Sequence, residues 1–179
     1  MIRKIGEKEL FHPDCVERRT QRKIGWMFWA GVSRKYGKGP HLFWNKKEWG
    51  NIGSRTYCEH TVPLIYRHIE QHNELYLMQD NCSGHAAKAT IEYMTSIGIH
   101  PMNWPAVSPD LNSIETVWHW MKEYMHEHYP ATHRSHRKLE DQAMKAWLSI
   151  PDSKIRELIS SMPEQVQAVI DAKGWHTKY

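Results

Sequence analysis

The sequence predicts a single α/β domain with a mixed sheet flanked by helices. The 179 residues suffice for one domain with a sizeable hydrophobic core. Hydrophobic residues make up 40% and charged residues 25% of the chain, which is ordinary for a globular protein. Segments with the two-residue alternation of strands are followed by segments with helical spacing, an order that is typical of an α/β sheet.

A β-hairpin is predicted first. The run GWMFWAGVS, 25–33, is rich in aromatic residues that favour strands, and its alternation places Trp26, Phe28 and Val32 on one face. The turn sequence RKYGKGP follows, and HLFWN, 41–45, returns as the second strand. A packing role, with base stacking as the alternative, is predicted for Trp26, Trp29 and Trp44.

Helices and two further strands follow the hairpin. Residues 55–72 repeat apolar positions at helical spacing, although Pro63 breaks or restarts the helix. An Ala-rich helix over 86–98 ends at Gly98. The remaining elements are predicted as strands over 74–80 and 99–105, an amphipathic helix over 112–129, and two or three helices over 137–173.

Composition argues against several classes of protein. Cys15, Cys58 and Cys82 are far apart and form no CxxC pair, so neither a disulfide framework nor a cysteine zinc site is indicated. The segment MIRKIGEKEL lacks the apolar core of a signal peptide, and no apolar run reaches about 18 residues. We therefore expect a soluble, intracellular protein with no membrane partner. The net charge of +4 mildly favours an anionic partner.

Two carboxylates are the candidate chemical groups. Asp80 stands at the end of the predicted strand 74–80, and in α/β sheets the functional crevice lies beyond the carboxyl ends of the strands. Glu115 follows after one helix, one strand and a loop. Two carboxylates at one sheet end can share Mg²⁺ or Mn²⁺, which prefer oxygen ligands and can activate water for phosphodiester cleavage.

Each carboxylate also has a plainer interpretation. Asp80 can be a solvated residue where a strand stops. Asn112 and Glu115 have the spacing of a capping box, so Glu115 can serve the start of its helix. Asp110 is interpreted as a turn residue. From the residues alone, both interpretations of each carboxylate stay open.

Two motifs resemble those of a known family. MQDNCSGH (78–85), followed by NWPAVSPDLNSIETVW (103–118), resembles the DDE catalytic domain of mariner-type and related Tc-family cut-and-paste transposases. The hairpin resembles that family's tryptophan-bearing hairpin, and AVIDAKGWHTKY (168–179) resembles the C-terminus of its fungal members. The resemblance implies an RNase H-like fold, in which Asp80 and Glu115 are the second and third metal-binding carboxylates.

The resemblance also implies an activity and partners. An intact member uses water activated by Mg²⁺ or Mn²⁺, and then a DNA hydroxyl, to cleave and join phosphodiester bonds. The implied partners are transposon ends and target DNA, a homodimer is left open, and nuclear residence follows only from the DNA role. Asn81 and His85 are expected to support the site, since His85 matches the family's histidine after the second Asp.

The chain departs from the family pattern before the hairpin. No strand ending in Asp precedes it, Asp14 does not match, and the helix-turn-helix domains that bind transposon ends are missing. The parts are then a polar lead-in over 1–24, the hairpin and catalytic core over 25–129, and C-terminal helices over 130–179. We expect a truncated catalytic domain that lacks its first, central strand and does not cut DNA alone. The alternative is a non-catalytic DNA-binding or oligomerising remnant.

Basic and histidine-rich stretches are weaker candidates. HEHYPATHRSH offers four histidines, but without a cysteine a closed zinc set is not favoured over a phosphate-facing loop or a solvated charge run. Cys82 shows no sign of a nucleophile pair. The candidate DNA-contacting residues are Arg18, Arg19, Arg22, Lys23, Arg134, Arg137 and Lys138, and the four histidines are His126, His128, His133 and His136.

Overall fold

The computed structural model describes residues 27–105, 108–130 and 136–173. Within these ranges an antiparallel hairpin is surrounded by helices, and no helix combines the length and apolar character needed to cross a membrane. The elements are β1 (Phe28–Ser33), β2 (Gly37–Phe43), α1 (Lys46–Trp49), α2 (Ser54–His60), α3 (Val62–Gln71), α4 (Ser83–Ala86), α5 (Lys88–Ser96), a 3-10 turn (Pro109–Leu111), α6 (Ser113–His128), α7 (His136–Ser149), α8 (Asp152–Ser160) and α9 (Met162–Asp171).

The predicted hairpin is confirmed, with a second strand that begins earlier than expected. Phe28 pairs with Phe43 and Ala30 with His41, and the register shifts between Ala30 and Val32. Trp44 lies just beyond β2, where it is 6% exposed and donates its indole N–H to the Gly50 carbonyl at 2.9 Å. This burial confirms the packing role predicted for Trp44.

The hairpin lies between two hydrophobic clusters because successive residues of a strand face opposite sides. Phe28, Ala30 and Val32 belong to the first cluster, which α6, α7 and α8 complete around the buried Trp147. Trp29, on the opposite face of β1, packs against the second cluster, which α2, α3 and α5 supply. The predicted shared face of Phe28 and Val32 is thus confirmed, whereas Trp26 lies outside the described residues.

The predicted helices are confirmed with small changes of boundary. The 55–72 segment divides at Thr61, because α2 ends at His60 and α3 restarts with Pro63 in its first turn, where a missing N–H costs nothing. Gly98, just beyond α5, has a φ of +81°, a conformation that glycine adopts at little cost. Within residues 136–173, which the structure describes, α7, α8 and α9 fill the segment predicted to hold two or three helices.

The strands predicted over 74–80 and 99–105 are wrong. Neither segment belongs to a ladder among the described residues, and one backbone hydrogen bond, from Met102 N to Leu77 O at 2.8 Å, joins them. The alternation was right about burial, since Leu77 packs on the second cluster while Tyr76 is 82% exposed. A strand also needs a neighbour that pairs its backbone groups, and the described chain places no such neighbour here.

Candidate active site

Asp80 is held by its own sequence neighbours. Asp80 is the last residue of the segment 74–80, which forms no strand. Cys82, two residues later, is the N-cap residue of the short helix α4 and has an extended backbone. Asp80 Oδ1 accepts the Cys82 backbone N–H at 3.3 Å, the local turn that Asp side chains favour. The same oxygen lies 2.6 Å from His85 Nδ1, so α4 returns an imidazole to the carboxylate five residues after it.

A second layer of contacts fixes this turn against the second cluster. Tyr57 is 2% exposed, and its hydroxyl donates to Gln79 Oε1 at 3.1 Å. The Tyr57 ring also packs on the His85 ring, with centroids 4.5 Å apart. Asn81 donates its side-chain amide to the Trp104 carbonyl at 2.8 Å, which ties the motif to the segment before α6. His85 therefore contacts Asp80 itself, whereas Asn81 holds the adjoining backbone to Trp104.

A cleft of about 300 Å³ opens beside Asp80. One wall is the Asp80 motif, and the other is the segment that ends in Trp104. The Trp104 indole Nε1 is buried and has no hydrogen-bond partner among the described residues, an uncommon state for a buried donor. The residues that line the cleft include Gln79, Asp80, Asn81, His85, Met102 and Trp104.

Asp80 is ionised at neutral pH. Partial burial opposes its charge, but the hydrogen bonds from Cys82 and His85 outweigh burial and hold the pKa of Asp80 below its ordinary value. Burial raises the pKa of the nearby Cys82 thiol, so the thiol is protonated and unsuited to nucleophilic attack. Burial also raises the pKa of the Tyr57 hydroxyl, which keeps it a hydrogen-bond donor. Of these three groups, Asp80 therefore carries the negative charge, while Cys82 and Tyr57 are neutral.

Glu115 lies in the first turn of α6, where its side chain is exposed. Asn112 precedes this helix but its side chain makes no capping hydrogen bond, so the capping box is not formed. The Glu115 carboxylate has no hydrogen-bond or ion-pair partner within the described ranges. It does not line the cleft, and it is not part of the cluster around Asp80. Joint ligation of one cation by Asp80 and Glu115 stays a prediction.

The remaining predicted residues are only partly described. Arg137 and Lys138 are exposed in the first turn of α7. His126 is exposed, and His128 stacks on Tyr124 with centroids 4.0 Å apart. In the part of the chain described, these histidines join no metal-sized cluster. The backbone of Asp110 lies in the 3-10 turn, as its turn role predicts. The predicted residues whose side chains lie outside the described set are Asp14, Arg18, Arg19, Arg22, Lys23, His133, Arg134 and His136.

Sequence reasoning missed four residues of this site. Tyr57 carried no signal, because its contacts with Gln79 and His85 join segments far apart in the chain. Gln79 and Trp104 stood inside the quoted motifs, but no chemical role follows from their types alone. The sequence gives Cys82 no sign of a nucleophile pair, and its place beside Asp80 and His85 emerges only from the geometry.

Known proteins share the segment that carries this site. A profile described as DDE superfamily endonuclease matches residues 50–139, which is half of the chain. The Tcb2 transposase of Caenorhabditis briggsae is 38% identical over 102 residues, covering 56% of this chain and 36% of the relative. The Tc3 transposase of Caenorhabditis elegans is 31% identical over 148 residues, covering 83% of this chain and 44% of the relative. The chain thus matches less than half the length of these curated relatives.

Solved structures of Mos1 transposase share the fold. The Mos1 catalytic domain with Raltegravir and Mn has a TM-score of 0.69 at 14% identity, covering 86% of this chain and 78% of that chain. The Mos1 Strand Transfer Complex has a TM-score of 0.72 at 17% identity, covering 99% of this chain and 51% of that chain. The likeness confirms the predicted RNase H-like α/β fold, and at these identities it extends to the fold alone.

Proposed function

This chain belongs to the DDE superfamily of endonucleases, among the Tc/mariner-type transposases, and we propose that it provides metal-dependent cleavage and strand transfer of DNA in transposition. One observation carries the proposal. The carboxylate of Asp80 is ionised and held beside a cleft by hydrogen bonds from Cys82 and His85. An acid so placed, in the motif of a DDE endonuclease, is suited to hold a cation beside a phosphodiester.

Asp80 and Glu115 are the residues that we propose hold Mg²⁺ or Mn²⁺. Both supply carboxylate oxygens, the hard ligands that these cations prefer. The Asp80 side chain is 53% exposed, and Glu115 is exposed, so both are open to a cation. A bound cation would activate the attacking hydroxyl and stabilise the leaving oxygen. The chain's own part is to hold Asp80 ionised and oriented through His85, whose ring Tyr57 fixes.

DNA is the proposed substrate and partner. The solved Mos1 structures include a paired-end complex with the left transposon end. Among the described residues, Arg137 and Lys138 are exposed at one helix start and suit contacts with phosphates. Transposon ends and target DNA as ligands, a homodimer as the assembly and the nucleus as the compartment are proposed with this role.

A second candidate function is a non-catalytic remnant that binds DNA or oligomerises. The observation that favours it is the composition of the cluster at Asp80. Within the described ranges, the groups close enough to Asp80 to share an ion are a thiol and an imidazole, and neither is a second carboxylate. A site that lacks the further carboxylates can still bind DNA through basic side chains without cleaving it.

Melting and DNA nicking by residues 1–179 separate the two candidates. Mg²⁺ should raise the melting temperature of the wild-type chain but not that of Asp80→Asn or Glu115→Gln. Any nicking of supercoiled DNA that the chain alone performs with Mg²⁺ or Mn²⁺ should be weak at most, and either variant should reduce it further, since catalytic sets act as a unit. Glu127→Gln removes an exposed carboxylate from the same helix and should change neither readout.

Each result decides between the candidates. Nicking that survives Asp80→Asn at the wild-type rate would contradict the catalytic proposal. DNA binding that weakens steeply with salt, together with no nicking and no stabilisation by Mg²⁺, would establish the remnant instead.

A further inference from the structure

We propose that Asp80, Cys82 and His85 form a binding site for a thiophilic divalent cation such as Zn²⁺. Bound there, Zn²⁺ would occupy Asp80 and exclude Mg²⁺. The exclusion of Mg²⁺ rests on the proposed function, whereas the Zn²⁺ site itself rests on the geometry of the three side chains. Competition of Zn²⁺ with Mg²⁺ for Asp80 would make the relative concentrations of the two cations a regulator of this site.

The three side chains already lie within reach of one ion. One ligand atom from each, a carboxylate oxygen, a thiol sulfur and an imidazole nitrogen, lie within 4.8 Å of one another. Zinc bonds of about 2.0 to 2.3 Å in a tetrahedral site place such atoms about 3.3 to 3.6 Å apart. The contact of 2.6 Å between Asp80 and His85 must therefore open slightly. Side-chain rotations of exposed groups suffice for this.

The backbone holds the ligands close together before any cation binds. The pattern Asp-x-Cys-x-x-His spans the turn into α4, and the Cys82 N–H bond to Asp80 fixes its first half. His85 is fixed by the Tyr57 ring at 4.5 Å. Both Asp80 and Cys82 are exposed, so a cation can enter and a water can complete the coordination. The arrangement resembles an open zinc site with three protein ligands.

The chemistry of the ligands favours zinc over magnesium. Thiolate and imidazole are ligands that select Zn²⁺, while Mg²⁺ requires oxygen. Glu115 lies outside this cluster, so the two cations would share Asp80 and differ in every other ligand. Cys82 is therefore the residue that separates a zinc site from an ordinary acidic site.

Cobalt binding tests the site directly. Co²⁺ replaces Zn²⁺ in such sites and gives a thiolate-to-metal charge-transfer band in the near ultraviolet. The full chain should show this band on titration with Co²⁺ and lose it when Zn²⁺ is added. Cys82→Ser should abolish the band, and His85→Gln should weaken Co²⁺ binding at least about 10-fold, because losing even an outer-shell partner costs that much.

The other two cysteines provide the matched control. A chain with Cys15→Ser and Cys58→Ser retains Cys82 as its single thiol and should keep the band. In the wild-type chain, Zn²⁺ should slow alkylation of the exposed Cys82 but not that of the partly buried Cys58. The alkylation readout needs no substitution, so it decides the matter even where Cys82→Ser lowers the melting temperature.

The outcomes for this site and for the proposed function are distinguishable. Glu115→Gln should leave the cobalt band unchanged while it removes stabilisation by Mg²⁺. Excess Mg²⁺ should weaken Co²⁺ binding to the wild-type chain. A band that persists in Cys82→Ser, or no band in the wild type, would overturn the zinc site. Cobalt binding that excess Mg²⁺ does not weaken would overturn the competition between the two cations for Asp80. An absence of DNA nicking by the wild-type chain would bear on the proposed function alone.

Discussion

The hairpin with its C-terminal helices and the segment around Asp80 are stabilised in different ways. In the first region, β1 and β2 pair along their length and pack on a buried cluster centred on Trp147. In the second, residues 74–82 belong to no helix or strand, and few backbone hydrogen bonds hold them. Polar side-chain contacts from Tyr57, Asn81 and His85 fix this segment instead.

The difference separates what stabilises the fold from what arranges the site. Burial of apolar surface is non-directional and roughly proportional to the area removed from water, so it stabilises the first region without fixing the distance between particular atoms. Hydrogen bonds contribute only about 1 kcal/mol each but fix distance and orientation. Substitutions in the first region should therefore change stability, and those in the second should change metal binding and pH dependence.

Trp147→Ala should have the largest effect on stability. Its side chain is 1% exposed and contacts Phe28, His41 and Trp118, with ring centroids 5.7, 6.0 and 6.4 Å away. The cavity should lower the free energy of unfolding by about 3 to 5 kcal/mol, measured by urea denaturation. Leu148→Ala is the control, because Leu148 is 63% exposed on the same helix and should cost far less. Equal losses in the two variants would contradict the packing of α7.

Gly37→Ala should have an intermediate effect. Gly37 begins β2 with a φ of +73°, and an added Cβ would lie 2.5 Å from Asp152 Cγ. Asp152 also accepts the Lys38 N–H at 3.1 Å, so the hairpin turn is fastened to α8 at this point. Backbone strain costs about 1 to 2 kcal/mol, and the clash adds about 1 to 3 kcal/mol.

Gly98→Ala separates the two terms of the Gly37 prediction. Gly98 has a φ of +81°, but nothing lies within 4 Å of its added Cβ. It should show the strain alone in a urea denaturation experiment. A Gly98→Ala variant that loses as much stability as Gly37→Ala would show that the contact with Asp152 does not matter.

The acid dependence at Asp80 should be the smallest effect. The pKa of Asp80 lies below its ordinary value of 3.8, so its contribution to stability is present above that pH and is lost as the pH falls through the pKa in the folded state. The stability difference between the wild type and Asp80→Asn should shrink as the pH falls from about 5 to about 2. His85→Gln should reduce this dependence. A stability difference between the wild type and Asp80→Asn that grows as the pH falls would contradict the contact between Asp80 and His85.

The fold could be predicted wherever a local pattern and its packing partner agree. The hairpin, the restart at Pro63, the helix end at Gly98 and α6 all follow from spacing and turn chemistry. The strands over 74–80 and 99–105 could not be predicted correctly, because alternation reports which side chains are buried and not which backbone groups are paired. Of the site, Asp80, Asn81 and His85 were predicted from one motif.

The sequence by itself determined the family motif, the apolar periodicity and the acid at its end, since these depend on residue type and spacing along one segment. Only the tertiary structure decided that Tyr57 fixes His85 and that Asn81 holds the Trp104 carbonyl. It also decided that Cys82 shares a metal-sized cluster with Asp80, while Glu115 stands apart from it. The physical reason is that hydrogen bonds and ligand clusters depend on distances of a few ångströms between atoms, which the folded chain sets.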